Sequence, residues 1–141
     1  LCVDADIDGL IVPDLPYEEY DELKPLLDET NVYMIPLVAL TSEERIPMLV
    51  KESKGFVYCV SSLGVTGVRK EFDTRIDSFV AKVKEATDTP ACIGFGISTK
   101  ADVERFDKIA DGCIVGSAIV RKIFDSKMNI DEIKAFVSSL K

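Results

Sequence analysis

The chain has 141 residues, 47% hydrophobic and 30% charged, with a formal net charge of −8, which fits one soluble globular domain spanning 1–141. Lys and Arg are scattered among acids and Trp is absent, which argues against a nucleic-acid surface. No apolar run approaches the roughly 18 residues of a membrane span, and no signal peptide is evident.

Strand and helix patterns alternate along the chain. Residues 1–5 read as the end of a preceding helix, and 9–13 (GLIVP) as a first strand ending at Asp14. Residues 17–29 form a charged helix that Pro25 is expected to kink or shorten, and 32–37 a second strand. Thr41 or Ser42 starts the next helix, with Thr41 and Glu44 at capping-box spacing. Gly55 closes that helix, 56–60 is a third strand, and a longer loop covers 61–72. A helix over 73–86 leads to a fourth strand, 90–93. Ser98 is placed as the cap of a helix ending near Ile109, with Asp102 in its first turn. Residues 112–115 are the fifth strand, followed by a short helix from Ser117 and an amphipathic helix over 130–140.

Apolar strands separated by helices predict an α/β fold with a parallel sheet covered on its outer face by helices. The strand spacing matches barrel-type βα units, and a full (β/α)₈ TIM barrel needs eight of them over roughly 250 residues. The expectation is therefore a parallel TIM-barrel fragment of about five units, with the remaining units before Leu1. Its first and fifth strands would be open edges, which favours association between copies of the chain.

The chain contains no His. That removes Ser-His-Asp and Cys-His nucleophile systems and the commonest zinc ligands, and neither a metal nor a cofactor is expected. Cys2, Cys59, Cys92 and Cys113 show no C-x-x-C spacing; three lie in apolar strand-like runs and read as buried reduced thiols in a cytoplasmic protein.

Two glycine turns carry the chemistry: Gly94-Phe95-Gly96-Ile97-Ser98 and Gly116-Ser117-Ala118-Ile119-Val120. Each follows an apolar strand and opens a helical pattern, where unpaired N–H groups and the helix dipole attract anions. With the loop carrying Gly67, the amides of Gly67, Gly96, Gly116 and Ser117 form a candidate phosphate cradle. Charge-assisted bonds of about 1.5–3 kcal/mol each make Lys or Arg unnecessary there. The competing reading is that these glycines only permit tight strand–helix turns. Asp14, the one carboxylate at a strand end in an apolar context, reads as a general base or as a cap for the next element. Glu18, Glu19, Asp21 and Glu22 read as a solvated helix face.

Asp8 through Pro16 (DGLIVPDLP), Tyr58 with Ser61 and Gly64-Val65-Thr66-Gly67, and the two glycine turns together resemble the tryptophan synthase alpha subunit, from its fourth to its eighth strand. The resemblance implies a barrel lyase that cleaves indole-3-glycerol phosphate to indole and glyceraldehyde 3-phosphate. It implies phosphate-binding amides at Gly67, Gly96, Gly116 and Ser117, and an indole and glycerol pocket formed by Tyr58, Thr66, Phe95 and Ile114. It also implies a beta-subunit partner in an alpha2-beta2 assembly, with Asp14 and Pro16 in the segment that faces it, so the resemblance assigns Asp14 to coupling between subunits. The family's catalytic Glu, on its second strand, and Asp, on the loop after it, would both precede Leu1. No catalytic residue is therefore assigned in this chain, and the 141 residues alone are expected to be inactive. Two alternatives are another phosphate-binding TIM-barrel enzyme, such as a sugar-phosphate isomerase, and a non-catalytic phosphate-binding or interaction module.

Overall fold

The computed structural model describes residues 1–61 and 75–141. After a 3₁₀ turn (Val3–Ala5), β1 (Gly9–Leu10) leads through a second 3₁₀ turn (Tyr17–Glu19) into α1 (Tyr20–Asp28). Next come β2 (Tyr33–Met34), β3 (Leu37–Ala39), a 3₁₀ stretch (Leu40–Arg45) and α2 (Ile46–Val50). β4 (Val57–Val60), α3 (Ile76–Ala86), β5 (Ala91–Gly94) and α4 (Lys100–Phe106) follow. β6 (Gly112–Cys113), α5 (Ser117–Asp125) and α6 (Ile130–Ser139) complete the chain.

Every strand pair is parallel, and the order is sequential: β1-β2 in one piece and β3-β4-β5-β6 in the other. The single strand expected over 32–37 is divided at Pro36, which has no N–H to give to a ladder. The two pieces nevertheless join one neighbour to the next. Ile35 N–H donates to Leu10 O at 2.8 Å, and Pro36 O accepts from Tyr58 N–H at 2.9 Å. Residues 33–39 thus stand between β1 and β4.

The alternation of strand side chains separates two environments. Val38, Val57, Cys59, Ala91 and Ile93 point to the helix side and are fully buried. They pack with Ile46 and Val50 of α2, Phe106 of α4, and Ile76, Phe79, Val80 and Val83 of α3. The α3 set recurs at i, i+3, i+4 and i+7, one stripe of a helix. On the other face Leu37, Tyr58, Cys92 and Gly112 share a register row and are half-buried. This is the face that a barrel turns inward.

Several expected boundaries move for identifiable reasons. Residues 1–5 end in a 3₁₀ turn with Asp6 left-handed at φ 55°. The charged helix begins as a 3₁₀ turn and becomes α only at Tyr20, with Pro25 inside it and none of its residues buried. The Thr41–Glu44 box does not form: Ser42 leaves helical geometry at φ −105°, ψ 15°, and Pro47 in the first turn of α2 sets the helical start. Ser98 does not cap α4. Thr99 does, because its extended backbone (φ −125°, ψ 160°) presents the hydroxyl to Asp102 N–H in a complete capping box. The expected loop over 61–72, apart from Ser61, and positions 73–74 lie outside the described residues.

All four cysteines are free. Cys59 is buried, and desolvation pushes its thiol up to about 12; Cys92 and Cys113 are half-buried rather than buried. Burial also raises Cys113 to about 11, so these thiols are poor nucleophiles at neutral pH.

Candidate functional site

Parallel strands in register deliver their carboxyl ends to one edge of the sheet. Val60 pairs with Gly94 and Ile93 with Cys113, and Ile114 N–H donates to Ile93 O at 2.7 Å. The turn 94–96 and the turn 116–117 therefore leave neighbouring strands on the same side, and Tyr58 comes from the strand beside them. The structure sets Tyr58 against Phe95 and places Gly96, Ile114, Gly116 and Ser117 beyond the carboxyl ends of the adjacent strands β5 and β6. Thr66 and Gly67 lie outside the described residues.

Gly94 is a packing requirement. A Cβ there would overlap the Tyr58 ring and its hydroxyl, so the absence of a side chain lets Tyr58 lie across β5. Tyr58 then meets Phe95 edge-to-face, with ring centroids 6.1 Å apart and planes at 70°, a geometry worth about 0.5–1.5 kcal/mol beyond burial. Burial raises the Tyr58 phenol above its ordinary value, so it stays neutral at physiological pH and offers an apolar ring with a polar tip.

The turn after β5 is strained and tied down. Phe95 has φ 75° and Gly96 φ 85°; the left-handed region suits glycine and costs a bulky residue about 1–2 kcal/mol. Ser61, fully buried at the end of β4, holds the turn. Its N–H donates to Gly94 O at 3.0 Å, and its hydroxyl lies 2.6 Å from Gly94 O and within reach of Phe95 O, sharing one proton between them.

The two helix starts beyond these turns differ. At α4, Asp102 accepts from Ser98 N–H at 3.0 Å and Thr99 N–H at 2.8 Å. Burial pushes the Asp102 carboxyl upward, but the bonds from Ser98 and Thr99 outweigh it and hold the group below its ordinary value. The start of α4 thus carries its own anion. At α5, no side chain among the described residues caps the start: Gly116 is the N-cap residue, at φ −111°, ψ −77°, and its carbonyl accepts from Val120 N–H at 3.0 Å. Among the described residues, a Cβ on Gly116 would meet nothing within 4 Å.

Asp14 and Pro16 sit elsewhere on this edge, in the exposed turn after β1, separated from β5 by the 33–39 segment and β4. In the acidic run, Glu18 pairs with Arg45, and the rest of that face is largely exposed. Sequence reasoning missed the roles of Ser61, Gly94 and Asp102. The only available signals were Ser61 at the end of a strand and the Thr99–Asp102 spacing three residues apart. Among the described residues no group of three or more His, Cys, Asp or Glu is placed to hold a metal, and no helix is long and apolar enough to cross a membrane.

Sequential parallel strands, a helix-covered outer face and ligand-type turns gathered at the carboxyl ends define a protein of the (β/α) barrel class. Residues 1–141 match the family model described as "Tryptophan synthase alpha chain", and the chain belongs to that family. It is 49% identical over 141 residues to the tryptophan synthase alpha chain of Bacillus thuringiensis (strain Al Hakam), covering 99% of this chain and 54% of that one. Among solved structures, it is similar to tryptophan synthase subunit alpha from Campylobacter jejuni with a TM-score of 0.82 and 34% identity, over 99% of this chain and 56% of that chain. A Pyrococcus furiosus chain, from a structure of the tryptophan synthase a2b2 complex, matches with a TM-score of 0.83 and 29% identity, over 99% of this chain and 57% of that chain. The chain spans about half the length of the curated relatives it matches.

Proposed function

We propose that these residues form the phosphate-holding and ring-contacting part of a lyase site that cleaves indole-3-glycerol phosphate into indole and glyceraldehyde 3-phosphate. The observation that carries this reading is Gly116. Among the described residues, neither its backbone angles nor its surroundings require glycine, whereas an anion approaching the uncapped start of α5 needs the space that a side chain would take. In this reading the amides of Gly96, Gly116 and Ser117, joined by Gly67, hold the phosphate. Tyr58, Phe95 and Ile114, with Thr66, contact the ring and glycerol chain. No base is assigned in this chain: Tyr58 is a neutral phenol, and Asp102 is engaged at α4.

Asp14 and Pro16 are proposed to face a beta subunit. Their exposed position after β1 supports this, as does the a2b2 complex from Pyrococcus furiosus. Copies of the 141-residue chain are proposed to associate, through the exposed Val120, Phe124, Met128 and Ile130 beyond β6. A stable, well-folded monomer in sedimentation would overturn that last point.

Titration with glycerol 3-phosphate tests the cradle. Saturable binding, weakened tenfold or more by Gly116→Ala with the fold intact, supports it; equal affinity in the variant rejects it. The 141-residue chain alone is expected to release no indole from indole-3-glycerol phosphate above a Gly96→Asp control, and measurable turnover would contradict that.

A further inference from the structure

The carbonyls of β5 alternate between its two neighbours, as extended backbone in a ladder requires. Ile93 O faces the β6 side and accepts from Ile114 N–H at 2.7 Å. Gly94 O faces the β4 side and accepts from Ser61 N–H at 3.0 Å. One more extended residue would turn Phe95 O toward β6 and the following N–H, that of Gly96, toward β4. The structure does the opposite. Phe95 takes φ 75°, and its carbonyl comes back to the β4 side, within reach of the Ser61 hydroxyl.

The Phe95–Gly96 peptide is trans and planar, so its C=O and N–H point opposite ways. With Phe95 O held toward β4, Gly96 N–H faces the β6 side, from which α5 starts at Ser117. Among the described residues, no group accepts a hydrogen bond from that N–H. Left-handed backbone is costly for a bulky residue, and it persists only where the surroundings over-determine it. Ser61 supplies the constraint. It is fully buried, its N–H already serves Gly94 O, and among the described residues its hydroxyl alone reaches Phe95 O. We propose that Ser61 is a positioning residue for a bound phosphate: its hydroxyl, acting through the Phe95 carbonyl, aims Gly96 N–H at the seat opened by Gly116. This role rests on the proposed phosphate cradle, to which it adds a residue that touches no phosphate itself. Without the hydroxyl, Phe95 is free to relax toward extended backbone, which returns the Gly96 N–H to the β4 side.

Residual dipolar couplings of the amides, measured without ligand, read the direction of Gly96 N–H in the parent chain and in Ser61→Ala. The Gly96 coupling should change in the variant, while those of Ile93 and Cys113 keep their parent values. A substitution that only lowers stability would leave the folded molecules with the parent direction. Glycerol 3-phosphate should bind Ser61→Ala at least about tenfold more weakly, the loss of one charge-assisted hydrogen bond. Ligand-induced shifts at Gly116 and Ser117 should persist in the variant, with the shift at Gly96 reduced. Where Ser61→Ala does not fold, Ser61→Cys, a near-isosteric side chain with a weak donor, takes its place. An unchanged Gly96 coupling, or unchanged affinity in the variant, overturns the role of Ser61 and leaves the cradle standing. Absence of saturable binding to the folded parent chain overturns the cradle, and this role with it.

Discussion

Gly94 and Gly116 stand at the carboxyl ends of neighbouring strands, but for opposite reasons. Gly94 makes room for something inside the chain, the ring of Tyr58. The turn it begins is closed by Ser61 and followed by a helix whose start is filled by Asp102. Among the described residues, Gly116 makes room for no other group, and no side chain caps the helix after it. A glycine required by internal packing says little about ligands, while one that packing leaves unexplained points outward. Of two glycine turns that look alike in sequence, one is clamped internally around Tyr58 and Ser61, with the Gly96 amide at its end in the proposed cradle, and the other is the proposed open anion seat.

Substitutions separate the two. Gly94→Ala should cost the most, about 1–3 kcal/mol through overpacking against Tyr58. Truncating Tyr58 to Ala in the same chain should recover part of that loss, which denaturant unfolding of the double-mutant cycle measures. Ser61→Ala should follow at about 1–2 kcal/mol, since the Phe95 carbonyl of the strained turn loses its hydroxyl donor while Gly94 O keeps only the Ser61 N–H; exchange protection of amides in 94–97 should fall with it.

At the α4 start, Thr99→Ala should cost about 0.5–2 kcal/mol, the usual loss for a helix cap. The depressed Asp102 carboxyl gives a signed pH dependence: its stabilisation is present above the ordinary carboxylate range and is lost as pH falls through its folded value. Unfolding curves at neutral and acid pH should show that loss in the parent chain and a smaller one in Asp102→Asn. The smallest stability effect is expected for Gly116→Ala, within about 0.5 kcal/mol of the parent, so any binding defect there would be a ligand effect.

Much of this was legible in the sequence. The apolar runs that became β4 and β5 were placed within a residue of their positions, because each is a short stretch flanked by turn signals and buried on its helix side. The alternation of strand and helix carried the parallel topology, and the motifs around Tyr58, Gly96 and Gly116 carried the family. Tertiary effects were not legible. Thr41 and Glu44 have the spacing of a cap, yet Pro47 dictates where the helix begins, and Thr99 caps α4 because its backbone, not that of Ser98, is extended. The contrast between Gly94 and Gly116 was hidden as well, since it depends on where a ring from the adjacent strand comes to rest.

The central claim is that the start of α5 is an anion seat and the start of α4 is not. Amide-resolved NMR of the 141-residue chain during titration with glycerol 3-phosphate tests it most directly. Saturable shifts centred on the amides of Gly96, Gly116 and Ser117, with Ser98 and Thr99 little changed, are the expected result. Shifts centred on Ser98 and Thr99, or no saturable change at Gly116 and Ser117, would contradict the account.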